Sequence, residues 1–258
     1  DQSKELGFAF LAGSSLPCAR RIPAVELPRD AEIAEAVVTA PGGLDSYDIH
    51  ALEAVQCIVE RRKGGETGVK WIEGVRGKAA YDLVKKQSFA AGGCDRKLLT
   101  ACLCRSHNLQ QLEPGFNHAF PEIDRWDELA TAAGKRGKRR THTPTAYRYE
   151  HHDGLKVTML LIEEFVHDFC VAVRYKDPSK KPLSTNLFLP PREVCNFFSP
   201  QVHSAEEMFN TGKAPYPIER TLLTTGITAA GVESVHQKKR LNTPQLNVTY
   251  KAPKSHYW

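Results

Sequence analysis

The sequence predicts an α+β fold with an open, mostly antiparallel or mixed β-sheet and helices packed on one face. Residues 165–175 alternate between apolar and polar side chains, which is typical of a strand with one buried face. Residues 45–62 instead repeat apolar side chains every three or four positions, which is typical of a helix with one apolar face. Because both periodicities occur in one chain, we expect sheet and helices to share a core.

The first half of the chain mixes strands with short helices. Gly64-Gly65 ends the first long helix, and Gly92-Gly93 separates two shorter ones. The predicted elements are a strand at 32–39, a helix at 45–62, a strand at 68–75, two helices within 77–107, and an irregular polar region at 105–137 with one short helix at 126–133.

The second half is richer in strands. Asp153-Gly154 lies between two strand patterns, and this dipeptide supplies the positive φ angles of a tight hairpin turn. Pro217 with Glu219 behind it marks the start of a long helix. The predicted elements are strands at 145–150, 155–164, 165–175, 184–189 and 245–250, and helices at 205–209 and 217–236.

The N-terminal region has a different character. Residues 1–6 have the pattern of a last helical turn, and residues 8–12 form a short apolar run that predicts a buried strand ending at Gly13-Ser14-Ser15. Proline-punctuated coil follows, as in a connection between domains. We therefore expect residues 1–30 to be the last elements of a preceding domain plus a linker, and residues 31–258 to be an α+β domain. On this interpretation the chain starts in the middle of a larger protein and is not an enzyme by itself.

The composition excludes several classes of protein. Hydrophobic residues make up 41% and charged residues 25%, which is typical of globular rather than disordered chains. No apolar run reaches the length of a bilayer span, and no signal-peptide pattern is present. The seven cysteines form no C-x-x-C pair, so we expect reduced thiols, a cytoplasmic location and no metal site.

Two basic clusters raise the question of an anionic partner. The formal net charge is +5, and Lys and Arg concentrate at 135–140 and 238–240. An anion- or nucleic-acid-binding module is one interpretation, and a solvated loop plus a helix end is the other. No aromatic residues interleave with the first cluster, as a platform for single strands requires. We therefore expect no nucleic acid among the partners. We also expect no membrane, because no apolar run has the length of a bilayer span.

Several catalytic and cofactor motifs are absent. The sequence contains no G-x-G-x-x-G or G-x-x-x-x-G-K-[ST] loop for phosphates, no G-x-S-x-G and no H-E-x-x-H. His151 and His152 are adjacent on a predicted strand, so their side chains point to opposite faces and do not share a metal ion. No cofactor-binding or metal-binding residue is predicted in this chain.

Two positions remain open between a functional and a structural role. His50 lies near the predicted start of a helix, two residues after Asp48, where an imidazole can act as a general acid or base. A half-buried helix histidine bonded to a carbonyl is the alternative. Pro215-Tyr216-Pro217 precedes the long helix and predicts either a site for an anionic or hydroxylated ligand or a helix entry with the tyrosine packed inward.

Four segments of the sequence carry a family resemblance: 8–17, 42–53, 60–70 and 211–226. Together they resemble the glucose–fructose oxidoreductase family, the Gfo/Idh/MocA group, in a little-characterised bacterial branch. Phe8-Ala9-Phe10-Leu11-Ala12-Gly13-Ser14-Ser15-Leu16-Pro17 resembles the exit from that family's nucleotide-binding domain, and Gly42-Gly43 followed by His50-Ala51-Leu52-Glu53 resembles the return into its substrate domain. The other two segments are 60–70 and 211–226. The resemblance to this branch covers nearly the whole chain.

The resemblance implies a two-domain oxidoreductase that uses NAD or NADP on sugars or related polyols. This chain would be its substrate and oligomerisation domain, with a remnant of a Rossmann domain in residues 1–30. The parent protein would bind the cofactor, this chain alone would bind none, and the sheet would form a homo-oligomer. The resemblance further implies that His50 is the catalytic proton-transfer residue and that four residues contact the substrate: Tyr47, Asp48, Glu66 and Arg220.

The sequence departs from the family pattern at the histidine motif. The usual motif is Asp-x-Gly-x-His, and here Ser46 replaces the aspartate and Asp48 replaces the glycine. The family's lysine motif lies upstream of the matched segments and is not in this chain. These departures support a second hypothesis, a non-catalytic binding or assembly protein that reuses the sheet.

Overall fold

An eight-stranded mixed sheet forms the centre of the molecule. The structure, a computed structural model, describes residues 2–107, 123–128, 143–190 and 196–254. The strands are β1 (Arg20–Ile22), β2 (Ile33–Ala40), β3 (Val69–Arg76), β4 (Thr145–His151), β5 (Lys156–Leu161), β6 (Phe169–Tyr175), β7 (Leu183–Phe188) and β8 (Leu241–Asn242). Their order is β1-β7-β6-β2-β5-β4-β3-β8. Strands β2 and β5 are parallel and every other neighbouring pair is antiparallel, so the predicted α+β class with a mixed open sheet is confirmed.

Helices connect and cover these strands. They are α1 (Gln2–Leu6), α2 (Asp48–Val59), α3 (Lys78–Lys85), α4 (Arg96–Leu103), α5 (Ser199–Thr211) and α6 (Glu219–Gln237). None of the helices in the described part combines the length and the apolar character that crossing a bilayer requires.

The helices cover both faces of the sheet. Ala36, Val38 and Ala40 of β2 belong to the core cluster that contains the apolar residues of α2 and α6. Val37, which points to the opposite face, belongs to a second cluster with α3 and α4. The prediction that helices pack on one face is therefore correct for α2 and α6 but incomplete. The other face is also apolar at positions such as Leu160, and burying it requires α3 and α4.

The N-terminal region differs from its prediction. Residues 8–12 form no strand, and Phe8 and Phe10 are 52% and 50% exposed, so the predicted buried strand is wrong. Instead, β1 pairs antiparallel with β7 and extends the same sheet. The predicted boundary at residue 30 thus does not separate two sheets. The origin of this region in a Rossmann domain stays a prediction.

Other boundaries shift in the second half. The strand predicted from residue 165 begins at Phe169, because Phe165 is buried in the preceding turn. The short helix predicted at 205–209 is part of the longer α5. The last predicted strand, 245–250, is absent: a 3-10 turn occupies Pro244–Leu246, and Tyr250 forms an isolated bridge with Glu66. The basic cluster at 135–140 and most of the helix predicted at 126–133 lie outside the described residues.

Candidate functional site

The candidate site lies where β2 ends and α2 begins. Gly42 has φ +84°, and a Cβ atom at this position would overlap the ring of Tyr47. A residue with a side chain would therefore meet both backbone strain and a steric clash. This tight connection brings Tyr47, Asp48 and His50 to the edge of the sheet where the parallel strands β2 and β5 both end.

His50 contacts the N-terminal segment. Its Nδ1 atom lies 2.8 Å from the hydroxyl oxygen of Ser14, and its ring meets the Tyr47 ring edge to face at a centroid distance of 5.8 Å. Burial lowers the pKa of the imidazole, and the nearby carboxylates of Glu53 and Asp48 oppose this effect. The pKa of an unperturbed histidine is about 6.5, and a lowered pKa means that the neutral ring predominates at neutral pH. A half-buried neutral imidazole can accept or donate a proton there.

Tyr47 packs against a residue that lines a nearby cavity. The rings of Tyr47 and Phe169 stack with centroids 6.3 Å apart. Phe169 lines a cavity of about 320 Å³ together with His107, His167 and other residues of the neighbouring loops. A ligand in this cavity would contact the Phe169 ring, and neither Tyr47 nor His50 lines the cavity. Tyr47 contacts both His50 and Phe169, so it connects His50 to the wall of the cavity.

Asp48 stabilises the start of α2. Its side chain is fully buried, and its carboxylate accepts hydrogen bonds from the backbone N–H groups of Asp45 and Ser46 at 3.1 and 3.2 Å. The Tyr147 hydroxyl donates a third bond at 2.9 Å, and burial together with Asp48 raises the pKa of Tyr147. These contacts give Asp48 a structural role at the helix start, and they occupy backbone amides that could otherwise bind a ligand.

Glu66 lies near the other end of α2, inside the protein. The side chain of His151 approaches its carboxylate at 2.8 Å, and those of Arg62 and Gln56 donate to it at 3.0 and 2.6 Å. Burial alone raises the pKa of a carboxyl group, yet His151 and Arg62 hold the pKa of Glu66 well below its ordinary value. The predicted substrate contact is thus an internal ionic centre in this structure.

Arg220 is also buried, beneath the first turns of α2. Its Nε atom donates to Glu53 at 3.0 Å, and its guanidinium lies 4.3 Å from the centre of the Tyr216 ring. Thr224 donates a second bond to Glu53 at 2.6 Å. Tyr216 is itself only 3% exposed, so the structure agrees with the alternative in which this tyrosine packs inward at the helix entry.

The structure brings together only three of the five predicted site residues. Tyr47, Asp48 and His50 lie together, Arg220 reaches this region through Glu53, and Glu66 belongs to a separate network. Sequence reasoning did not identify Ser14 as the partner of His50. The Gly13-Ser14-Ser15 turn was visible in the sequence, but a contact across 36 positions has no local signal.

The helix starts nearest to His50 and Arg220 do not offer the backbone N–H groups that bind the phosphates of a dinucleotide. A phosphate site at a helix start needs free backbone N–H groups, and Asp48 takes those at the loop before α2. At α6 the entry contains two prolines, which lack N–H groups, and the carboxylate of Glu219 lies in the first turn. In the described part of the chain, no group of three or more His, Cys, Asp or Glu side chains is arranged to hold a metal ion.

The chain was compared with known proteins at three levels. No protein-family model, no curated protein and no solved structure matches it.

Proposed function

We propose that this chain is the substrate-binding part of an NAD(P)-dependent oxidoreductase that acts on sugars or related polyols, and that it is inactive alone. The observation that carries the proposal is the 2.8 Å contact between Ser14 and His50. It joins the segment that resembles the exit from a nucleotide-binding domain to the segment that resembles the return into a substrate domain. A histidine remote from residues 8–15 would have contradicted this proposal.

His50 has the properties that proton transfer to or from a substrate oxygen requires. Its ring is half-buried, its pKa is lowered, and Nδ1 has a hydroxyl partner. Among the described residues no hydrogen-bond partner meets Nε2, so this atom is the one that a substrate would contact. Tyr47 would form one wall beside the substrate through its edge-to-face contact with His50.

The cofactor would belong to another part of the complete protein. A nicotinamide would exchange a hydride with the substrate there, and the proton chemistry of His50 is derived without it. We also propose a homo-oligomer and a cytoplasmic location. The location is supported by the cysteines of the described residues, of which six are free and five of these are buried: Cys18, Cys57, Cys94, Cys102 and Cys170.

Ligand binding by the chain itself tests the proposal. We expect calorimetric titration with a panel of sugars and polyols to detect at least one ligand. His50→Gln should weaken its binding about tenfold, the effect of losing one hydrogen bond of ordinary net strength. His203→Gln is the matched control, because His203 lies on α5 with a side chain that is 71% exposed. Equal binding by wild type and His50→Gln would contradict the role of His50.

A non-catalytic binding or assembly protein is the second candidate. The observation that favours it is that Asp48, Glu66 and Arg220 direct their charges into internal contacts rather than toward a ligand. On this hypothesis the well-folded chain binds no member of the panel, and His50→Gln changes only its stability. A self-association constant measured by sedimentation would then be the property to pursue.

A further inference from the structure

The Ser14 hydroxyl makes two defined contacts, one within the N-terminal segment and one with α2. Ser14 is only 4% exposed. Its Oγ atom accepts the backbone N–H of Leu16 at 3.2 Å and lies 2.8 Å from Nδ1 of His50. A serine hydroxyl has one proton to donate. Within the described ranges, Nδ1 of His50 is the acceptor that the structure offers to this proton.

We propose that Ser14 is a positioning residue that fixes the tautomer of His50. Oγ has two acceptor positions, so the bond from Leu16 alone does not set the direction of the Ser14–His50 bond. The serine proton sets it, because Nδ1 is the acceptor within its reach among the described residues. With Ser14 as the donor, the neutral imidazole carries its proton on Nε2. The two ring nitrogens have distinct roles, and the hydrogen bond at one sets the protonation of the other. Nε2–H is therefore the donor that His50 presents on the side away from Ser14.

This inference rests on the proposed function and narrows its substrate class. A group that faces a fixed N–H donor must be an acceptor. The oxygen of a carbonyl group meets this condition fully, whereas a hydroxyl group brings a proton that needs a further acceptor. With the imidazole neutral, the site therefore favours the carbonyl form of the sugar or polyol, whose carbonyl oxygen accepts a hydrogen bond from Nε2–H.

Long-range ¹H–¹⁵N correlation spectroscopy of the ¹⁵N-labelled chain measures the tautomer directly. His50→Gln assigns the His50 ring signals, and the spectra are recorded above the pKa of the ring. We expect wild-type His50 to carry its proton on Nε2. Ser14→Ala should reduce the ratio of the Nε2–H to the Nδ1–H tautomer about tenfold, the factor that one hydrogen bond of ordinary net strength supports.

Two further variants separate positioning from folding. Ser14→Thr keeps the hydroxyl and should retain the wild-type tautomer even if it lowers stability. Ser15→Ala removes the neighbouring hydroxyl and should leave the tautomer unchanged. A wild-type ring with its proton on Nδ1, or a tautomer ratio that Ser14→Ala does not change, would overturn the inference. Because this measurement needs no ligand, it is independent of the outcome of the sugar titration that tests the proposed function.

Discussion

At the scale of single residues, the buried carboxylate of Glu66 near α2 is surrounded by hydrogen-bond donors. It receives hydrogen bonds from His151, Arg62 and Gln56, and from the backbone N–H groups of Thr67 and Gly68. A buried charge is tolerated when such donors replace the water that it loses. The network therefore holds the loop at 66–68 against the end of α2.

Replacement of Glu66 should be strongly destabilising. Glu66→Gln leaves the charge of Arg62 in the core with Asp153 as its remaining carboxylate partner. We expect the free energy of unfolding to fall by about 3 kcal/mol, because removing one partner of a buried ion pair leaves the other charge less compensated. Urea denaturation measures this change. Glu206→Gln on the exposed side of α5 is the control, and it should stay within about 0.5 kcal/mol of wild type.

The same carboxylate should make the stability of the protein depend on pH. Its pKa in the folded state lies well below that of the unfolded chain, which is about 4.3. Glu66 therefore contributes stability above about pH 4.3 and loses it as the pH falls toward the folded-state pKa. We expect the free energy of unfolding of wild type to decrease over this acidic range. An equally steep decrease in Glu66→Gln would show that other groups cause it.

Only part of the site could be predicted from the sequence around each residue. His50 could be proposed from the sequence because it follows a glycine turn and lies near a helix start. The internal roles of Asp48, Glu66 and Arg220 could not, because their partners Tyr147, His151 and Glu53 come from other elements. The sequence next to a charged residue does not show whether its side chain forms a buried ion pair or contacts a ligand.

At the scale of elements, the packing of α6 on the sheet depends on two glycines. A Cβ atom at Gly74 of β3 would lie 2.7 Å from the carbonyl oxygen of Gly231 in α6. A Cβ atom at Gly231 would overlap the ring of Tyr147. The hydroxyl of Tyr147 is held by Asp48, so this ring has little freedom to move aside. The close approach of helix and strand thus depends on the absence of side chains at both positions.

We expect Gly231→Ala to destabilise the protein. Alanine favours a helix over glycine by about 1 kcal/mol, but overpacking a core costs about 1–3 kcal/mol. Because Tyr147 is restrained, the overpacking cost should be about 3 kcal/mol, the top of its range, so the net loss should be roughly 2 kcal/mol, measured by denaturant unfolding. Gly226→Ala in the same helix meets only the flexible tip of Leu246, and it should be within about 1 kcal/mol of wild type. A more stable Gly231→Ala would contradict this packing.

Elements with a strong periodic pattern were predictable, and those set by distant contacts were not. The Asp153-Gly154 hairpin, α2 and α6 follow from local patterns. The segment at 8–12 has the composition of a buried strand, but composition does not reveal that it pairs with no strand in the described part of the chain. Strand β1 is short and polar, and only its pairing with β7 defines it.

At the scale of the whole molecule, helices cover the faces of the sheet, and His50 lies near the ends of the central strands β2 and β5. Helices α2 and α6 cover one face, and α3 and α4 cover part of the other. The predicted homo-oligomer through the sheet stays a prediction, and it would have to use surface that α3 and α4 leave accessible. The Ser14–His50 contact lies near the ends of β2 and β5, and the proposed function requires a second domain to complete the site there.

Turnover by the longest protein that carries this chain tests the central claim most directly. With NADH or NADPH and a panel of keto sugars, we expect wild type to oxidise the cofactor. His50→Gln should lower kcat by about 10²–10⁴-fold, the usual contribution of a general acid or base, while NAD(P)H binding is retained. The His203→Gln control should match wild type. An enzyme that turns over equally well with His50→Gln, or a well-folded protein with no turnover at all, would contradict the account.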